Sequence, residues 1–271
     1  MKKKRNLRFL MMALVLSCLV AAMLPVAASA ATQKNGWVKE KNGYCYYVKG
    51  KKVQNQLKKI KGKTYYLGSD GVRKTGWYTV KTKNKGKTVY KAMKFNGSGA
   101  YTGKSQTVNA QLIKKTDSII KSLKIGTGAL TTEQKEAALK KIFTYTKKYG
   151  YGRVMGLNNK TFNKNKVADC AYKMMSKKKG NCYYHASAFA VLAKRATGLP
   201  VRVCWGTSRV FNAKKAQEHA WVEIKLADGS WHIYDPNGAR FSSRKDVQTY
   251  GQKASALKSV YKAAKTSELY L

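Results

Sequence analysis

The stretch EHAWVEIKLADGSWHIYDPNG, Glu218 to Gly238, constrains the fold more tightly than any other part of the chain. Ala220, Val222, Ile224 and Leu226 alternate with His219, Trp221, Glu223 and Lys225. Period two with one apolar set is the signature of a strand laid on a core. Asp228-Gly229 marks a tight turn, and Trp231 to Asp235 reads as the returning arm. The loop length decides which side chains share a face. A two-residue loop at Asp228-Gly229 puts His219 and Asp235 on opposite faces. A three-residue loop, Ala227 to Gly229 with Gly229 left-handed, sets Trp221 opposite Asp235 and His219 opposite Asn237. His219 and Asp235 then become diagonal neighbours within side-chain reach, and this loop is the one predicted.

A second element lies upstream, in KKKGNCYYHASAFAVLAKRATGLPVRV, Lys177 to Val203. Ala186, Phe189, Ala190 and Ala193 fall on one helical face, and Gly198 and Pro200 stop the helix. Cys182 therefore sits in the first turn. Unpaired backbone N–H groups and the helix dipole favour an anion there, whether a thiolate or a developing oxyanion. The competing reading is a small residue packed in a core. His185 lies one turn on and reads as incidental. Cys204 is in the middle of the strand VRVCWG, away from any helix tip, and His232 points away from Asp235 in a regular strand.

Further helical patterns precede this one. Ser105 to Lys124 carries apolar residues at largely helical spacing, Thr131-x-x-Gln134 resembles a capping box, and Leu139, Ile142, Phe143 and Tyr149 mark one face of a helix ending near Gly150. Val167, Cys170, Ala171, Met174 and Met175 repeat the pattern, so Cys170 reads as core. The pairing of Cys45, Cys170 and Cys204 is left open, no Cys or His cluster has zinc spacing, and neither a metal nor a cofactor is expected.

A His held by a carboxylate, beside a Cys at a helix tip, is the arrangement nucleophilic acyl transfer needs. GNCYYHASAF, HAWVEI and WHIYDP occur in order, with 37 residues from Cys182 to His219 and 16 from His219 to Asp235. Together they resemble the transglutaminase-like superfamily, over about Gln134 to Arg240. The resemblance implies an α+β fold with papain-like architecture, helices packed on an antiparallel sheet. It implies Cys182 as nucleophile, His219 as general base and later acid, and Asp235 as the orienting carboxylate. Members often use a second oxyanion donor upstream, for which Tyr145, Tyr149 and Tyr151 are the candidates. The thioester is resolved by water in a peptidase or amidase, the favoured reading, or by an amine in a cross-linking transamidase. A papain layout proper fails, because only 89 residues follow Cys182.

The N-terminal third is different. Residues 1–30 read as a secretory signal peptide: basic Lys2 to Arg8, apolar Phe9 to Met23, then Ala28-Ser29-Ala30 for cleavage. An uncleaved anchor and a lipid on Cys18 are the alternatives; no other stretch is long enough to span a bilayer. Residues 31–103 hold degenerate aromatic–glycine units beginning at Tyr46, Tyr65 and Met93, which read as stacked β-hairpins. They resemble cell-wall-binding repeats of the choline-binding type, whose aromatics cage a quaternary ammonium by cation–π attraction. By that resemblance Trp37, Tyr46, Tyr65, Tyr66 and Trp77 are the wall-binding positions; the bare structural reading makes them the apolar glue of the hairpins. Residues 104–271 form the catalytic domain.

Charge bears on the partners. Of 55 basic residues only nine are Arg, against 12 acidic, for a net +43. Outside a cell a Lys-rich surface meets wall polymers, anionic glycopolymer or peptidoglycan, in place of nucleic acid. The whole reading is a secreted, wall-associated cysteine enzyme acting on a peptide or protein substrate. Its rival is a non-catalytic surface protein with a relic triad.

Overall fold

The computed structural model describes residues 33–271 apart from 127 and 129, so the signal-peptide segment and Cys18 lie outside the described residues. The N-terminal region is rich in β-hairpins. Strands β1 (Gly36–Glu40), β2 (Gly43–Val48) and β3 (Lys51–Lys52) form one antiparallel sheet. A second pairs β4 (Gln56–Ile60) with β5 (Lys63–Leu67), and a third joins β6 (Gly76–Asn84), β7 (Lys87–Phe95) and β8 (Tyr101–Val108). Three of the links are Lys-Gly dipeptides, at 49–50, 61–62 and 85–86, with positive φ at both residues. That geometry matches the right-handed strand twist, and glycine supplies it without a Cβ penalty. The turn at Ser69-Asp70-Gly71 lies between hairpins, where Asp70 accepts from the Val72 N–H at 2.9 Å.

The helical reading of Ser105 onward is corrected at its start. Ser105 to Val108 belong to β8, paired with Tyr90 to Met93. The β-branched Thr107 and Val108 suit a pleated surface. Helix α1 (Ala110–Ser122) begins only where Asn109 caps it, accepting from the N–H groups of Gln111 and Leu112. Helix α2 (Thr132–Lys147) starts with the expected capping box of Thr131 and Gln134. The short parallel pair β9 (Gly150–Tyr151) and β10 (Lys179–Gly180) brackets α3 (Val167–Lys177).

Helix α4 (Cys182–Thr197) is the central element. Cys182 to Lys194 are buried throughout, where the sequence suggested one apolar face. Its many alanines allow this, because α1, α2 and α3 and the sheet all press against it. The sheet runs β14 (Tyr250–Lys253), β13 (Trp231–Tyr234), β12 (Gln217–Lys225), β11 (Val201–Ser208), β15 (Tyr261–Glu268), all antiparallel. Ala220, Val222 and Ile224 join the helical core, while Trp221, Cys204 and Ile233 form a separate cluster with Val247 and Tyr261. The alternation read from sequence thus separates two buried faces. The hairpins meet the helices where Ala92, Val108 and Ile113 form a small core and Trp77 lies 4.8 Å from Tyr270.

Candidate active site

The hairpin register puts the dyad together. Val222 pairs with Tyr234, Ile224 with His232 and Lys225 with Trp231. The loop is Ala227 to Gly229, with Gly229 at φ 76° and its N–H on the Leu226 carbonyl at 3.1 Å. This is the predicted three-residue loop, and His219 Nε2 donates to Asp235 Oδ2 at 2.7 Å. Both side chains are buried. Asp235 also caps the short helix α5 (Pro236–Phe241), its Oδ1 accepting from the Gly238 N–H at 2.8 Å. Tyr261 donates its hydroxyl to Oδ2 at 3.0 Å. Three donors on one carboxylate hold it ionised, which lowers the Asp235 pKa against the opposing effect of burial.

Burial alone would pull the His219 pKa down. The Asp235 charge and hydrogen bond, and then the neighbouring Cys182, outweigh it and raise the value to about 10. With Nε2 committed to Asp235, Nδ1 is the ring nitrogen left for the thiol. Trp221 lies alongside, its ring 6.3 Å from the imidazole at 20°, and Phe211 meets it edge-on at 5.1 Å.

Cys182 is the first residue of α4. Asn181 caps the helix and accepts from the Tyr184 N–H at 3.4 Å. The approach to the cap needs glycine: a Cβ on Gly180 would lie 2.5 Å from Tyr184 Cδ2. The β9–β10 pairing also brings Tyr151 to the Cys182 cavity. Cys182 and His219 open into one cavity of about 390 Å³ whose walls include the rings of Tyr151, Phe211 and Phe241. Of the three tyrosine candidates, Tyr151 alone lines it; Tyr145 and Tyr149 meet each other edge-on, 5.4 Å apart.

The other cysteines are inert by placement. Cys45, Cys170 and Cys204 are buried and free. Burial pushes the Cys170 thiol up to about 12 and the Cys204 thiol well above its ordinary value. His185 is fully buried and donates to the Gly150 carbonyl, 3.2 Å away; burial lowers its pKa to about 4. His232 faces Asp228 and the Gly251 carbonyl, away from the site.

Of the five hairpin aromatics, the structure gathers three. Trp37 packs edge-on against Tyr46 and Tyr65, at 5.1 and 5.0 Å. Tyr66 is buried against Tyr78, and Trp77 stands apart on Tyr270. The guanidinium of Arg73 lies over Trp37 at 5.6 Å and Tyr44 at 4.8 Å.

Sequence reasoning missed Tyr261, Phe211, Phe241 and Glu218. Tyr261 comes from β15, a strand added at the far edge beyond β11, and no local pattern announces it. Glu218 had a signal, standing next to His219 on the same strand.

Residues 123–236 match the model of the transglutaminase-like superfamily. No curated protein matches the chain. Among solved structures, a candidate cysteine protease from Cytophaga hutchinsonii is similar at 17% identity and a TM-score of 0.31, covering 60% of this chain. The chain spans 54% of that protein's length. The chain therefore carries a transglutaminase-like domain at residues 123–236.

Proposed function

We propose that this protein is a secreted, wall-associated cysteine enzyme that opens amide bonds in peptides through a thioester on Cys182. One observation carries the reading: the thiol at the N-terminus of α4 shares a cavity with an imidazole that Asp235 holds at 2.7 Å.

The steps follow from the geometry. The Cys182 proton passes to His219 Nδ1, and the thiolate Sγ then attacks the carbonyl carbon. Asp235 fixes the Nε2–H tautomer and steadies the imidazolium. The oxyanion meets backbone N–H groups at the start of α4, with the Tyr151 hydroxyl as the second donor. The C–N bond breaks as His219 returns the proton to the leaving amine. Water, deprotonated by His219, then attacks the thioester and releases a carboxylic acid and the free thiol. Tyr151, which lines the cavity, is 53% exposed, so water reaches the thioester. The hairpins and the Lys-rich surface hold the enzyme near wall polymers.

Mass spectrometry of wall peptides, incubated with the protein alone and with an added amine, tests this. Shortened peptides that vanish with Cys182→Ala are expected. Amine adducts in their place would make the enzyme a transamidase, and no product in either arm would overturn the reading.

A further inference from the structure

We infer that Glu218 is the specificity-determining carboxylate of this site and takes a cationic group, an ammonium or guanidinium on an alkyl stem, from the substrate. The inference rests on the catalytic reading above and names the substrate class for it.

Acidic side chains are scarce here, 12 against 55 basic ones. Eight of the twelve sit in ion pairs within 4 Å of a Lys, Arg or His among the described residues. Glu218 has no such partner, yet it lines the cavity that holds Cys182 and His219. Its carboxylate is nevertheless oriented. Oε2 accepts from the Asn159 N–H at 3.1 Å, and the Tyr183 hydroxyl lies 3.4 Å from it. Asn159 is itself anchored, donating to the Gly206 carbonyl at 2.6 Å and accepting from Tyr183 at 2.8 Å. Oε1 accepts no hydrogen bond among the described residues.

In a chain so rich in cations, an anion positioned in the cavity and paired with none of them within 4 Å suits a charge supplied by the substrate. The flanking rings of Phe211, Phe241 and Tyr151 suit the methylene stem of a lysine-like or arginine-like chain. The molecule's overall positive field opposes such a group at long range. Salt screens that field within about 10 Å, so a contact carboxylate decides the outcome. The cation can belong to the acyl donor or to an attacking amine.

The test uses the full chain. Iodoacetamide modification of Cys182, and loss of product, hydrolysed or amine-linked, in Cys182→Ala, first establish the catalytic reading; if either fails, both proposals fall together. Peptide amides differing only in Lys, norleucine or Glu beside the cleaved bond are then compared, and separately an alkyl diamine against a simple alkylamine as acceptor. In one arm or the other, the cationic member is expected to lead its neutral counterpart by about tenfold or more in kcat/KM. The preference sits mainly in KM, and the arm that shows it identifies the source. Glu218→Gln keeps the acceptor for the Asn159 N–H and removes the charge, so the ratio should collapse toward one. An unchanged ratio in Glu218→Gln, or no cationic preference in wild type, overturns this inference and leaves the catalytic reading standing. Should the variant fail to fold, added salt must shrink the wild-type ratio; a salt-independent ratio is equally fatal.

Discussion

His219 and His185 respond to pH in opposite directions, because one is buried with an anion and the other without. His219 is raised to about 10 from an ordinary 6.5. Its contribution to stability is therefore complete below pH 6.5 and is lost as pH rises toward 10. His185 is lowered to about 4, so its contribution is complete above pH 6.5 and is lost as pH falls through 4. Thermal melts across pH should peak near the pH where the two overlap. Asp235→Asn should flatten the alkaline limb and His185→Gln the acid limb. Asp235→Asn also removes the charge that steadies the imidazolium, and a loss of about 10²–10⁴ in turnover is expected from steady-state kinetics. An alkaline limb untouched by Asp235→Asn would mean that the dyad is not what holds His219 cationic.

At the scale of elements, the turn into α4 sets the position of Cys182. Gly180→Ala puts a Cβ 2.5 Å from Tyr184 Cδ2 and 2.7 Å from its Cβ, both on the first turn of the helix that Cys182 begins. Overpacking of this kind costs about 1–3 kcal/mol, which denaturant titration would read. Alkylation of Cys182 should slow at the same time, because the cap moves with the ring. The same element was legible in the sequence: Asn181 before an apolar helix, glycine after it. So was the His219–Asp235 pairing, because side chains in a strand alternate strictly and one added loop residue switches the face. Burial of α4 on every side was not legible. Alanine-rich helices look one-sided until the neighbours that cover the other side are known. Tyr261 was hidden for a related reason: the pairing of β15 with β11 joins residues some sixty positions apart, which no local period encodes. Ser105 to Val108 went to a strand because four residues carry too little periodicity to outweigh pairing with β7.

At the scale of the molecule, the proposed wall attachment has two candidate carriers, charge and aromatic surface. The hairpin region presents Trp37, Tyr46 and Tyr65 as one cluster, but Arg73 already covers the Trp37 and Tyr44 rings. A quaternary ammonium would have to displace a cation tethered to the same chain, whose effective concentration is high. Attachment through the hairpins and the Lys-rich surface should therefore be electrostatic. Binding of the full-length protein to an anionic wall glycopolymer is expected to weaken steadily as salt rises, since exposed charges are screened beyond about 10 Å at 0.1 M. Free choline should leave both the binding and the tryptophan fluorescence unchanged. Arg73→Ala uncovers the Trp37 face, and only in that variant should choline alter the emission. Elution of the wild-type protein by choline at constant ionic strength would show that the ring cluster, and not the lysine field, makes the attachment.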